Sequence, residues 1–112
     1  MKKKYRIKDK REFQDIINTG NKIHNEHYVI YNKDNNLPYS RFGIAVSKKI
    51  GKAVLRNKTK RQLRAIISQN QKNFINNKDY IIIVKNACRN ISFKEKQDSL
   101  LNLLTKEKEG TK

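Results

Sequence analysis

The sequence predicts an α+β fold, a two-layer α/β sandwich with elements in the order α-β-β-β-α-β-α. Three observations carry that prediction. Apolar residues recur at helical spacing near the N-terminus (Phe13, Ile16, Ile17) and again from Lys52 onward. Between them, residues 27–32 and 42–47 alternate with a period of two. The run Tyr80-Ile81-Ile82-Ile83-Val84 is β-branched and almost unbroken, the pattern of a strand covered on both faces.

Taken in order, Asp9 followed by Glu12 has capping-box spacing, and Gly20 stands where a helix C-cap belongs, so a first helix is expected over about Lys10–Thr19. A short strand is expected at Lys22–Asn25. His27, Val29 and Tyr31 then alternate with Tyr28, Ile30 and Asn32, and Phe42, Ile44 and Val46 with Gly43, Ala45 and Ser47. The turn-rich stretch Lys33–Ser40, with the only proline, Pro38, predicts that these two strands form a hairpin. From about Lys52 to Asn76 the period is helical. Leu55, Thr59, Leu63, Ile66, Asn70 and Phe74 share one side, Asn57, Lys60, Arg61 and Arg64 the other, and Arg56 lies at the border. After the Tyr80–Val84 strand, Ser92 and Glu95 form a second capping-box pair ahead of Leu100, Leu101, Leu103 and Leu104, which predicts a last helix over about Phe93–Glu107. Residues 1–112 read as one domain with a polar, frayed tail at Lys108–Lys112.

Composition limits the function. The chain of 112 residues carries 27 Lys and Arg against 10 Asp and Glu, a formal net charge of +17. Such an excess repels itself and calls for a polyanionic partner, nucleic acid ahead of an anionic membrane. Cys88 is the single cysteine, so no intramolecular disulfide exists, which fits a reducing cytosol. Met1–Lys4 is basic, but no apolar segment follows, so no export signal is expected and the location is read as cytoplasmic. Tyr80–Val84, the longest clean apolar run, is far short of a membrane span. His24 and His27 have neither metal-ligand nor triad spacing, Asp79 and Asp98 have no evident partner, and no glycine-rich phosphate loop is present. Neither protein-borne acid–base chemistry nor a protein-bound metal is expected.

The most informative segment is Lys48–Arg64. Eight of its seventeen residues are basic (Lys48, Lys49, Lys52, Arg56, Lys58, Lys60, Arg61, Arg64) and none is acidic. Lys and Arg neutralise phosphates and release counterions, and Arg adds bidentate geometry. Asn57 among them offers hydrogen bonds to phosphate, 2′-hydroxyl or base edge. A merely solvated face would tolerate acids and would not alternate with Ala53, Val54, Leu55 and Leu63. A second surface is formed if the first helix lies along the sheet: Phe13, Val29 and Tyr31 then meet, and aromatics in a basic groove stack on unpaired bases at roughly 1–3 kcal/mol per base. Core packing is the competing reading for Phe13, whereas the phenol of Tyr31 argues for partial exposure.

The run Ser47-Lys48-Lys49-Ile50-Gly51-Lys52-Ala53-Val54-Leu55-Arg56-Asn57-Lys58-Thr59-Lys60-Arg61-Gln62-Leu63-Arg64 closely resembles the signature of the bacterial ribonuclease P protein component. Glu12-Phe13, Gly20, Tyr28-Val29-Ile30-Tyr31 and Asp79-Tyr80-Ile81-Ile82 extend the resemblance over most of the chain. It implies a ribonucleoprotein whose RNA subunit is the catalyst and removes the 5′ leader of precursor tRNA by Mg2+-dependent phosphodiester hydrolysis. The protein would bind both the catalytic RNA and the precursor tRNA and need no protein partner. Mg2+ belongs to the RNA active site and no cofactor to the protein. By the same resemblance, Phe13, Ile17, Val29 and Tyr31 line the leader cleft, while Lys48, Lys49, Lys52, Arg56, Asn57, Lys58, Lys60, Arg61 and Arg64 face the RNA subunit. The family also implies a left-handed βαβ crossover, against the common right-handed rule. Three positions depart from the pattern: Ile17 where an aromatic is frequent, Thr59 where an aliphatic is usual, and Ala65 where an acid is frequent. Two other readings of the charge stay open, a non-catalytic RNA-binding module such as a ribosomal protein, and a protein nuclease, which lacks a catalytic constellation.

Overall fold

One strand, β4 (Lys78–Val84), organises the chain, and its apolar run explains why. The computed structural model describes residues 2–75 and 77–110. The remaining elements are α1 (Lys10–Thr19), β1 (Asn21–His24), β2 (Tyr28–Asp34), β3 (Arg41–Val46), α2 (Ala53–Gln69) and α3 (Phe93–Gly110). The sheet order is β1-β2-β4-β3, with β4 antiparallel to β2 and parallel to β3.

The hairpin expected between β2 and β3 is therefore not formed: β4 lies between them. Its Tyr80, Ile81, Ile82 and Val84 are all fully buried, and a strand apolar on both faces is satisfied only at a sheet centre, paired on both edges. The segment between β2 and β3 instead passes the entry to β4, held by Asn35 N–H donating to the Asn77 carbonyl (2.9 Å) and Ser40 Oγ donating to the Ile75 carbonyl (2.8 Å). Asn77, at φ 65°, takes the left-handed conformation that asparagine tolerates, and its side-chain amide donates to the Leu37 carbonyl.

Two cores result, one on each face. On the larger, Tyr28, Ile30, Phe42, Tyr80, Ile82 and Val84 meet Leu63, Ile66 and Ile67 of α2 and Leu100, Leu103 and Leu104 of α3. This is the expected sandwich of sheet and helices. The Tyr28 hydroxyl, deep in it, donates to the Lys96 carbonyl at 2.9 Å, as a buried polar group must. Thr59, at the usually aliphatic position, is buried in the same layer because its hydroxyl donates to the Leu55 carbonyl (3.0 Å). On the opposite face α1 covers only part of the sheet, over a cluster of Ile7, Ile16 and Ile81.

Helix ends follow local chemistry. Asp9 caps α1 by accepting from Arg11 N–H at 2.7 Å. The expected reciprocal bond from Glu12 is absent, because Arg41 captures that carboxylate (2.6 Å). Gly20 approaches the β2 backbone so closely that a β-carbon would stand 2.6 Å from the Asn32 carbonyl oxygen. The second helix is shorter than its periodicity predicts. Asn70 Nδ2 donates to the Ile66 carbonyl (2.8 Å), α2 ends at Gln69, and a 3₁₀ turn at Gln71–Asn73 returns Phe74 to the core against Phe42 and Tyr80. The expected helix end, Asn76, lies outside the described residues. At α3 the Ser92–Glu95 capping box forms, with Glu95 N–H donating to Ser92 Oγ at 3.1 Å. That helix continues to Gly110, past the expected end at Glu107. Of the tail anticipated at Lys108–Lys112, Thr111 and Lys112 lie outside the described residues.

Candidate nucleic-acid interface

Strand register arranges the α1 face of the sheet into three cross-strand rows, because residues directly opposite one another share a face. The first row, Lys33-Asp79-Arg41, is charged. Arg41 donates to both Asp79 carboxylate oxygens (Nε–Oδ1 2.9 Å, Nη2–Oδ2 2.7 Å) and to Glu12 of α1, while Lys33 Nζ donates to Asp15 of α1 at 2.8 Å. Asp79, without an evident partner in the sequence, is thus the anchor of a clamp that fixes α1. The carboxylates, Asp79 first and Glu12 after it, raise the Arg41 guanidinium above its ordinary value against the opposing effect of burial.

The second row, Lys22-Tyr31-Ile81-Gly43, is the one α1 covers, through Phe13, Ile16 and Ile17. Tyr31 is half-buried, with Lys22 Nζ 5.9 Å from its ring centroid. The third row, His24-Val29-Ile83-Ala45, lies beyond Phe13 and Ile17 and is half-buried apart from the exposed His24. Phe13, Ile17 and Tyr31 form one wall of the resulting cleft, and Val29 with Ile83 forms its floor. Lys49, Lys85 and Glu26 line the groove at Ile83. The four leader-side residues expected from sequence are brought together. Ile83, part of a run that reads simply as core, joins them, and Lys85 follows just after that run.

The other cationic surface starts at the turn Ser47–Gly51. Ser47 Oγ accepts from Lys49 N–H (3.2 Å), and Gly51 takes φ 143°, which a side chain would strain. Lys48 and Lys52 are exposed there. Along α2, Arg56, Lys60 and Arg64 recur every fourth residue as a half-buried stripe, with Asn57 and Arg61 exposed beside it. Burial, and after it the charge of Arg6, hold the Arg64 guanidinium below its ordinary value. Arg6 is placed there by a parallel bridge with Phe42 at the outer edge of β3, a contact with no sequence signal. Arg6 and Arg56 each keep a buried Nε with no hydrogen-bond partner among the described residues. Convergent cations with unpaired donors are what a phosphate backbone satisfies. Lys58 alone points away from the stripe, toward Arg89 in the segment before α3.

Catalytic chemistry has no comparable assembly. His27 Nδ1 is 2.7 Å from Ser99 Oγ, and its Nε2 lies 3.8 Å from Oε1 of the exposed Glu26, too far for a hydrogen bond. Among the described residues, no group of three or more His, Cys, Asp or Glu side chains is placed to hold a metal ion, and no helix is long and apolar enough to cross a membrane.

Comparison with known proteins agrees with this geometry. The ribonuclease P family profile matches residues 1–108. A ribonuclease P protein component from Geobacillus sp. (strain WCH70) is 42% identical over 107 residues, covering 95% of this chain and 92% of the relative. The solved RNase P protein of Staphylococcus aureus superposes with a TM-score of 0.86 at 37% identity, covering 93% of this chain and 95% of that one. The Thermotoga maritima RNase P protein gives a TM-score of 0.83 at 33% identity, over 90% and 96%. With the family profile, the relative and both folds matched along nearly the whole length, the chain belongs to the ribonuclease P protein component family.

Proposed function

We propose that this chain works in the cytoplasm as the protein subunit of a ribonuclease P ribonucleoprotein, contacting two RNAs with two separate surfaces. Lys48 and Lys52 before α2, and Arg56, Asn57, Lys60, Arg61 and Arg64 on it, face the catalytic RNA. The cleft of Phe13, Ile17, Val29 and Tyr31 holds the single-stranded 5′ leader of precursor tRNA. The observation that carries this reading is the half-buried pair Val29–Ile83: α1 is clamped over the first two rows and leaves the third partly open, with Lys49, Lys85 and Glu26 lining the groove at Ile83. Such a floor takes bases and the lysines beside it take phosphates.

Hydrolysis of the leader phosphodiester is assigned to the RNA subunit, which holds the Mg2+. The acids between α1 and the sheet do not fit such an ion: both Asp79 oxygens are occupied by Arg41, and Glu12 and Asp15 are paired to Arg41 and Lys33. The protein's contribution is charge and position. With a net charge of +17 it neutralises phosphates where two polyanions meet, and in the cleft it adds contacts that mature tRNA, lacking a leader, does not make.

The deciding experiment is reconstitution. Purified protein added to a bacterial ribonuclease P RNA is expected to restore 5′ processing of precursor tRNA at a low Mg2+ concentration where the RNA alone is inactive. No gain in processing at any protein concentration that saturates the RNA would reject the assignment.

A further inference from the structure

Val54 and Phe93 are the two large apolar side chains left exposed among the described residues, at 80% and 39%. Single exposed apolar residues are ordinary, but these two border one continuous groove on the α2/α3 side of the protein. Two depressions meet at Leu55, Lys58 and Arg89. Val54 and Lys52 bound the first, and Phe93 bounds the second. Val54 has no structural reason to be there. It buries nothing, and valine in the first turn of a helix is a poorer helix former than alanine.

The charge of the groove is equally one-sided. None of the described residues lining it is acidic. Lys96, at its inner wall, is 7% exposed, with Gln62 Oε1 as its neutral acceptor at 2.9 Å. Burial pushes that ammonium below its ordinary value, and the charge of Lys58 adds to the effect. An apolar strip walled by unpaired cations matches an unpaired nucleotide, in which a flat apolar base carries an adjacent phosphate. A duplex would present only its phosphates and leave Val54 and Phe93 without a partner.

We propose that this groove binds an unpaired nucleotide of the catalytic RNA, its base on Val54 and Phe93 and its phosphate on Lys58 and Arg89. The inference rests on the two-surface reading above and assigns a site that adjoins the α2 surface at Lys52. The RNA subunit is favoured over the substrate as the source by placement. Lys52 makes the groove continuous with the α2 cations, and the leader cleft is on the opposite face of the sheet.

The test measures binding of a ribonuclease P RNA transcript, without tRNA, to the full chain and to three variants: Val54→Asp, Arg89→Ala with Phe93→Ala, and Arg56→Ala with Lys60→Ala. Val54→Asp places a negative charge in the first turn of α2, where it favours the helix, so its effect is not one of unfolding; circular dichroism checks all three. Both groove variants are expected to bind about tenfold more weakly or worse. In reconstituted enzyme they should keep the preference for precursor over mature tRNA. Groove variants that bind normally while Arg56→Ala with Lys60→Ala loses affinity would overturn the groove and leave the two-surface reading standing. Normal binding by all three variants would overturn both. Loss of leader preference without loss of RNA-subunit affinity would overturn the assignment to the catalytic RNA.

Discussion

The Phe13 ring fills the space that a side chain at Gly43 would need: a β-carbon there would stand 2.5 Å from Phe13 Cε2 and 2.8 Å from Ile81 Cδ1. Gly43 does not have a positive φ, so its role is steric. It lets α1 sit close to β3 and sets the height of the cleft wall. Gly43→Ala is expected to cost about 1–3 kcal/mol, the usual price of overpacking a filled site, and to lift Phe13 from the sheet. An unchanged denaturation midpoint together with unchanged precursor tRNA affinity would show that α1 accommodates the methyl group.

The charged row below Phe13 makes a graded prediction. Asp79 is 7% exposed and is held by Arg41 at two points and by Asn35 Nδ2 at 2.8 Å. Arg41→Ala strands that carboxylate and should cost about 2–4 kcal/mol, since an uncompensated buried charge is expensive. Glu12, with 44% side-chain exposure, is the outer partner, and Glu12→Ala should cost under about 1 kcal/mol. A double-mutant cycle between Arg41 and Asp79 checks the ranking. A coupling no larger than that of Arg41 with Glu12 would contradict it.

Alkaline stability is governed by groups of the main core. Burial raises the Cys88 thiol above its ordinary value of 9.0, and burial, with a smaller effect from Cys88, raises the Tyr28 phenol above 10.0. Both groups bind their proton more tightly when folded. Their stabilisation is complete below the unfolded values and is lost as pH rises through them toward the folded ones. Unfolding free energy should therefore begin to fall near pH 9 and steepen above pH 10. Cys88→Ala should flatten the first part of that slope. Denaturant melts between pH 8 and pH 11 measure it, and identical slopes for the two proteins would remove Cys88 as a contributor.

Much of this was legible in the sequence, for identifiable reasons. The α1 boundaries follow from Asp9, the Phe13-Ile16-Ile17 spacing and Gly20, all local signals. The central position of β4 follows from its unbroken apolar run. The partner of β2 was not legible, because pairing is a long-range choice: a turn-rich segment between two alternating strands looks the same whether it closes a hairpin or passes beneath a third strand. The candidate site divides in the same way. The α2 cations lie within one short stretch, so the sequence displays them directly. The side that Lys49, Lys58 and Arg6 face is not legible in it, because that depends on a turn, a groove and an edge bridge that only the folded chain creates.

Tyr31 tests the cleft most directly, because two roles meet in one side chain. Its ring packs at the edge of the Ile16–Ile81 cluster, beside Ile17, yet remains half-exposed and within 5.9 Å of Lys22 Nζ. Were it only structural, Tyr31→Ala would loosen α1 and weaken every RNA complex alike. Were it a stacking surface, the same change would remove a contact made by the leader alone. The expected result is a loss of about 1–2 kcal/mol in binding of precursor tRNA by the reconstituted enzyme, within the usual range for one stacked base. Binding of mature tRNA should be almost unchanged. Tyr31→Phe keeps the ring and should retain most of the preference, which separates stacking from any hydrogen bond of the phenol. Equal losses for precursor and mature tRNA would assign Tyr31 to the packing of α1 and leave Val29 and Ile83 as the leader's floor.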